Sequence, residues 1–312
     1  MLFRSKATIN RVDEIPDIMR RAFTNLRSGS PGPVVIEMPQ DVMAGEISDD
    51  AFNYQPVGPG NKPAASQADV EKAAALLVNA KYPVLNVGGG CLSADAADEV
   101  TELAELLSMP VASSLVAKGI FPEDHPLSLG LGIYPRSRYA TGPAVQINRK
   151  VDVVLAVGNS YRQPNGTDGR PFPPGVKLIH VNADAADLNK TYMADVPIMA
   201  DAKLALRDII NAVKDRVGPG RGEAKEEIVA EIQQARDKWL GEWQSVFTDP
   251  SAPTNGYRVV PDLMLVVDKD RTIAIHDAGC SRTEERRGGK VCRSRGRLYH
   301  QKKKYHRQTR NT

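Results

Sequence analysis

A chain of 312 residues, 41% hydrophobic and 25% charged, has the makeup of a folded protein with room for about two domains. It contains no apolar run of about eighteen residues, and MLFRSKATIN lacks the apolar centre of a secretory signal, so neither a spanning helix nor a secretory leader is expected. The net charge of +3 is unevenly spread: twelve basic and two acidic residues from Arg282 onward leave 29 basic against 36 acidic in the rest.

Cys91, Cys280 and Cys292 form neither a metal spacing nor a disulfide framework, so a reducing cytoplasm is expected. A basic tail on an acidic body is a common footprint of nucleic-acid binding. Another origin is expected here. TEERRGGKVCRSRGRLYH has no apolar periodicity and resembles a translated sequencing adapter, followed by Lys-rich read-through. MLFRS resembles the reverse complement of the adapter. Residues 1–5 and 282–312 are therefore expected to be artefact, and no nucleic acid or membrane partner is expected.

Taken in order, residues 12–29 read as a helix, with Ile15, Ile18, Met19, Ala22 and Phe23 on one stripe and Gly29 near its C-terminal stop. Pro31-Gly32-Pro33 turns the chain into a short strand, Val34 to Met38, which Pro39 ends. One strand makes no sheet, so residues 6–49 read as the end of a truncated α/β domain. Residues 50–65 are a polar, proline-bearing linker. Ser66 and Asp69 then form a capping-box-like start to a helix that buries Val70, Ala73, Ala74 and Leu77.

The stretch YPVLNVGGGC follows. A strand from Pro83 to Val87 meets Gly88, Gly89 and Gly90, and a helix with Val100, Leu103, Leu106 and Leu107 on one face comes next. This is the opening of a βαβ unit. Glycines suit such a turn for two reasons: positive φ, and close approach of a ligand phosphate. The spacing is not G-x-G-x-x-G and no convincing acidic residue sits about twenty residues on, so a packing turn is the favoured reading.

Val111 to Leu115 is a second strand. The loop KGIFPEDHPLSLG carries His125, read as solvated because no paired acid or nucleophile is visible nearby. A weak helix is expected over Ala144 to Arg149. The strand Val151 to Val157 ends at Gly158, and a long loop leads to the strand Lys177 to Val181. Asp184 and Asp187 flank a short helix start, where capping is the plain reading. Ala202 to Val213 is a helix with Leu204, Leu206, Ile209 and Ile210 inward. RVGPGRG breaks the chain. A charged helix over about Glu223 to Ser245 is anchored by Ile228, Ile232, Trp239 and Trp243. Pro261 to Val267 looks helical, and Thr272 to His276 is a strand ending in DAG.

Alternating strands and helices with apolar strands throughout give an α/β fold: a parallel Rossmann-like sheet with helices on both faces, over residues 66–215. Truncated α/β pieces flank it, with a linker helix at 216–256 and a new unit at 257–281. The strands Val34 to Met38 and Thr272 to His276 are expected to lack partners and to lower solubility.

These pieces resemble thiamine-diphosphate-dependent enzymes of the acetolactate synthase-like group. IPDIMRRAF and SGSPGPVVIEMPQDV resemble the end of the family's pyrimidine-binding domain. PVLNVGGG, VDVVLAVGNSYR, KLIHVNADAADLNK and VPIMADAKLALRDI fall in the order of its central domain, and TIAIHDAG resembles the first strand of its diphosphate-binding domain. The resemblance implies thiamine diphosphate with Mg²⁺, decarboxylation or carboligation of a small 2-oxo acid, and a homodimer or homotetramer. It places the activating glutamate before this stretch and the metal-binding segment after it, so no catalytic or metal residue is assigned and the chain is expected to be an inactive fragment. Glu37 lies in the last strand of its domain and is not that glutamate. Asp277 and Gly279 are assigned to the margin of the diphosphate site. Some members also hold FAD on the central domain. The candidates for such an accessory nucleotide are Gly88, Gly89, Gly90, Gly158 and Asp184. NSYRQ departs from the Arg-Phe-Asp-Asp-Arg of FAD-binding members, keeping only Arg162, and Asn182 replaces a usual aspartate; both count against FAD. A stand-alone Rossmann-like nucleotide-binding module is the alternative.

Overall fold

The computed structural model describes residues 5–29, 32–50, 52, 54–56, 58, 60–131, 150–161, 175–217, 223–268 and 271–272. Its elements in chain order are β1 (Ser5–Thr8), α1 (Ile15–Arg27), β2 (Val34–Glu37), α2 (Gln40–Met43), α3 (Gln67–Asn79), β3 (Pro83–Val87), α4 (Gly89–Ala94), α5 (Ala97–Leu107), β4 (Val111–Ser113), β5 (Ser128–Gly130), β6 (Val153–Val157), β7 (Lys177–Asn182), β8 (Val196–Met199), α6 (Ala202–Lys214), α7 (Glu223–Phe247) and α8 (Gly256–Val266). The expected helix at 144–149 and strand residues 273–276 lie outside the described residues.

The strand at Val34 has a partner, which corrects the reading of it as an orphan. β1 pairs with β2 in parallel, from Ser5 opposite Val34 to Thr8 opposite Glu37. Lys6 Nζ reaches Glu37 Oε1 at 2.7 Å, and Thr8 Oγ1 donates to Glu37 Oε2 at 3.1 Å. Ser5, set apart with the N-terminal residues, is the first residue of β1. SKAT carries no strand pattern of its own because its four residues are half-buried and exposed by turns.

The main sheet has six parallel strands in the order β5-β4-β3-β6-β7-β8. Numbered from its own first strand this is 3-2-1-4-5-6, the doubly wound order. β3 and β6 lie side by side at the centre, Pro83 opposite Val153 through Val87 opposite Val157, and every residue of both is buried. Burial on two faces is why they read as apolar runs instead of alternations. β8 is an edge. Val196 and Ile198 are buried while Pro197 and Met199 are exposed, and an edge tolerates the proline's missing N–H.

Ser66 caps α3 as its spacing implies: Oγ accepts from Asp69 N at 3.2 Å and donates to Asp69 Oδ2 at 2.7 Å. The four residues expected to face inward on this helix are all buried. The helix after the glycines is two helices. Asp95 turns left-handed at φ 57° between α4 and α5, and Lys203 Nζ donates to its carbonyl at 2.7 Å. α6 buries Leu206, Ile209 and Ile210, but Leu204 is 38% exposed, against expectation. Ala205 takes the inward place on the 3.6-residue stripe.

α5 and α6 share a buried charge. Glu99 is only 1% exposed, bonded by Arg207, with Lys203 Nζ 3.7 Å away. Removing one partner of such a pair harms more than removing the buried charge itself. Arg207→Ala is therefore expected to lower the urea midpoint further than Glu99→Leu. The reverse order would show that the ion pair is not what holds the carboxylate.

His125 is not a solvated loop histidine. Its side chain is 16% exposed, Nε2 lies 3.3 Å from Glu105 Oε1, Nδ1 accepts from Leu127 N at 3.1 Å, and its ring packs on Phe121. An acid partner twenty residues away on α5 is invisible to local spacing. α7 docks on the sheet through Ile228, Val229 and Ile232, and Arg236 Nη2 donates to Ser128 O at 2.8 Å. Further along, Trp239 and Phe247 form a second apolar cluster with Trp243 and Tyr257. α8 begins at Gly256, capped by Asn255, five residues before Pro261. Among the described residues no helix is long and apolar enough to cross a membrane.

Candidate functional site

In a sheet of this order, ligands bind where the strand order reverses, outside the carboxyl ends of the central strands. Here that place lies between β3 and β6, and the chain puts Gly88-Gly89-Gly90 and Gly158 there. Gly88 N donates to Val157 O at 2.8 Å, Gly90 N to Gly158 O at 3.0 Å, and Gly158 N to Val181 O at 2.9 Å. A Cβ on Gly88 would stand 2.3 Å from Gly158 O, and one on Gly90 would stand 2.6 Å from Gly158 Cα. Gly158 adopts φ +66°, and a Cβ there would lie 2.7 Å from Cys91 N. These glycines are required by each other. Their backbones touch, and the amides of Gly88 and Gly90 are engaged by Val157 O and Gly158 O, so these two offer no donor pair to a phosphate. Gly89 faces the Val116 side chain instead.

Asp184 does not join the glycines. Its Oδ1 accepts from Ala186 N at 3.0 Å and its own N–H donates to Asn182 Oδ1 at 2.9 Å, which is the capping role. Asp187, at the end of that turn, is buried and holds Lys190 Nζ at 3.2 Å. Asp277 and Gly279 lie outside the described residues.

A network that the motif reading missed lies at the carboxyl ends of these strands. Asn86, Asn159, His180 and Asn182 are all buried. Asn159 Nδ2 donates to Asn86 O, while the Asn159 carbonyl accepts from His180 Nε2 at 2.8 Å and Asn182 Nδ2 at 2.9 Å. Asn86 Nδ2 donates to the Tyr161 hydroxyl at 2.9 Å. The Tyr161 ring meets Tyr192 edge-on at 5.2 Å and His180 at 5.3 Å, and Thr191 Oγ1 donates to the Tyr161 carbonyl at 2.6 Å. One signal was legible: Asn86 and His180 are polar residues inside otherwise apolar strands.

Burial favours the neutral forms of Tyr161, Cys91 and His180. Burial pushes the Tyr161 hydroxyl up and pushes the Cys91 thiol up to about 12, which leaves Cys91 an inert thiol. Burial lowers the His180 value below its ordinary 6.5, opposed by the Asn159 carbonyl and the Asp187 charge. Its Nδ1 has no hydrogen-bond partner among the described residues. A base whose folded value is depressed stays neutral in the fold but takes a proton in the unfolded chain. Stability is therefore expected to fall as pH drops through 6.5 toward the lower folded value. His180→Gln should flatten that slope in urea titrations at several pH values; an unchanged slope would assign it to other groups. Among the described residues no group of three or more His, Cys, Asp or Glu could hold a metal ion.

Residues 70–209 match the family model of the thiamine pyrophosphate enzyme central domain. Residues 70–209 belong to the thiamine-pyrophosphate-dependent, acetolactate synthase-like superfamily. It is 33% identical over 230 residues to a glyoxylate carboligase of Escherichia coli O157:H7, covering 73% of this chain and 38% of that protein. It is 34% identical over 214 residues to an acetolactate synthase of Mycobacterium bovis, covering 67% of this chain and 33% of that protein. A benzoylformate decarboxylase from Polynucleobacter necessarius shares the fold, with a TM-score of 0.54 and 21% identity, over 68% of this chain and 38% of that one. The chain thus spans about a third to two-fifths of these relatives. The superfamily's central domain is the six-stranded sheet described above. The switch point of this superfamily member is built from its own backbone and side chains.

Proposed function

We propose that the whole protein is a thiamine-diphosphate- and Mg²⁺-dependent decarboxylase or carboligase acting on a small 2-oxo acid, as a homodimer or homotetramer. The observation that carries this reading is the doubly wound sheet over a segment matched, residues 70–209, by the superfamily's central domain. The relatives' names, glyoxylate carboligase and acetolactate synthase, support the substrate class. When bound, thiamine diphosphate supplies the electron sink for loss of CO₂ from such an acid.

The residues of this chain do something simpler. The β3–β6 pair and the helices around it make a rigid block, and its buried Asn and His side chains carry no charge into the reaction. A block of this kind serves as spacer and support for assembly. The test is to read the genomic sequence flanking this segment and assay the product of the complete frame. Release of CO₂ from pyruvate or glyoxylate, dependent on both thiamine diphosphate and Mg²⁺, is the expected result. A complete frame whose product releases none from any small 2-oxo acid would overturn the proposal.

A further inference from the structure

The doubly wound order offers a dinucleotide its usual place, over the carboxyl ends of β3 and β6. We propose that Tyr161 is a built-in plug at that place, and that this central domain excludes flavin and other dinucleotides. Three observations carry the inference.

The first is the turn itself. A phosphate cradle needs backbone N–H groups that point at the ligand. Gly88 and Gly90 instead direct theirs to Val157 O and Gly158 O, at 2.8 and 3.0 Å. A Cβ on either glycine would strike protein backbone, so the absence of side chains serves the packing of β3 on β6.

The second is the pairing of the polar side chains. Asn86, Asn159, His180 and Asn182 are the groups that could recognise a nucleotide's polar edges. Their side-chain nitrogens donate to Asn86 O, to Asn159 O and to the Tyr161 hydroxyl. A ligand entering here would have to break several buried hydrogen bonds and leave their partners unsatisfied.

The third is strain. Tyr161 sits at φ 43°, a left-handed conformation that is uncommon for a bulky residue. Such a conformation persists only where its surroundings over-determine it. Here the surroundings are the Asn86 amide on its hydroxyl, the Thr191 hydroxyl on its carbonyl, and the edges of Tyr192 and His180 on its ring. The Thr191 bond holds the backbone, and the other three contacts hold the phenol beside Asn86, at the end of β3.

This inference rests on superfamily membership and not on the proposed reaction, so the two fail separately. The 312-residue chain, purified from flavin-replete cells, is expected to release no flavin on acid denaturation. Calorimetric titration with FAD, and separately with ADP, is expected to show no saturable heat. Stoichiometric flavin, or saturable micromolar binding of either probe, overturns the proposal. The plug is tested directly with Tyr161→Gly, which removes the ring and relieves the positive φ. The small aromatic p-cresol is expected to raise the melting temperature of this variant and leave the parent chain unmoved, because a ligand that fills a native cavity stabilises by mass action. No response of a folded Tyr161→Gly to p-cresol overturns the plug. If Tyr161→Gly does not fold, Tyr161→Phe carries the test. It keeps the ring, loses only the Asn86 bond, and must remain flavin-free; flavin bound by that variant overturns the proposal.

Discussion

Gly158→Ala is expected to lower stability by about 3–5 kcal/mol and to remove most of the soluble chain. Two effects add. The residue sits at φ +66°, where a side chain is strained, and the new methyl carbon would stand 2.7 Å from both Cys91 N and Gly90 Cα. Those are backbone atoms of a turn locked to the central strands, so neither can move without shifting β3 against β6. Gly175→Ala is the internal comparison. Gly175 has φ +86° with nothing among the described residues within 4 Å of an added Cβ, so it is expected to carry the conformational penalty alone, about 1–2 kcal/mol. Urea titration of both variants separates strain from collision. Equal losses at the two positions would mean that the close approach of Gly158 to Gly90 is not a structural constraint.

Trp239→Ala is expected to cost about 3–5 kcal/mol locally, the usual range for truncating a buried aromatic. Trp239 is 4% exposed and packs on Trp243 and Phe247, with ring centroids 5.9 and 6.2 Å away. This cluster is separate from the sheet core, and it joins the last turns of α7 to Tyr257 on α8. The loss should therefore release α8 and the end of α7 while the sheet persists. The chain has two tryptophans, so in the variant Trp243 alone reports on the cluster. An early red shift of its emission, ahead of the loss of far-ultraviolet dichroism, is the expected result. A single coincident transition at an unchanged midpoint would show that the cluster contributes nothing.

Much of the fold was readable because parallel strands buried on both faces write themselves as apolar runs. PVLNV, VVLAV and KLIHV were placed within about two residues for that reason. Ser66 and Asp69 marked the start of α3 through a side-chain bond that depends only on local spacing. β1, β5 and β8 were not readable as strands. SKAT and SLG are too short to show a period, and Pro197 argues against a strand unless the strand is known to be an edge. The carbonyl at the Asp95 break is bonded by a lysine 108 residues away, which no local window contains.

The candidate site was half legible. Gly88 to Gly90 and Gly158 could be read as a group, since glycines at two neighbouring strand ends of a doubly wound sheet lie close together, as these do. What they meet was not visible. Sequence spacing cannot distinguish a glycine that makes room for a phosphate from one that makes room for another glycine. Asn159 and Tyr161 were passed over because their partners, Asn86 and Thr191, lie 73 and 30 residues away. His125 was misjudged for the same reason, its acid partner being on a helix already passed.

The central claim is that the glycine turn over β3 and β6 belongs to the packing of the sheet and not to a ligand. Native-state hydrogen exchange at the amides of Gly88 and Gly90 tests it most directly, since both donate to β6 or to the glycine that ends it. With no ligand added, both amides should exchange as slowly as the buried amides of β3 and β6, opening only with the whole sheet. Fast exchange at Gly88 and Gly90, slowed only when FAD or ADP is supplied, would contradict the account.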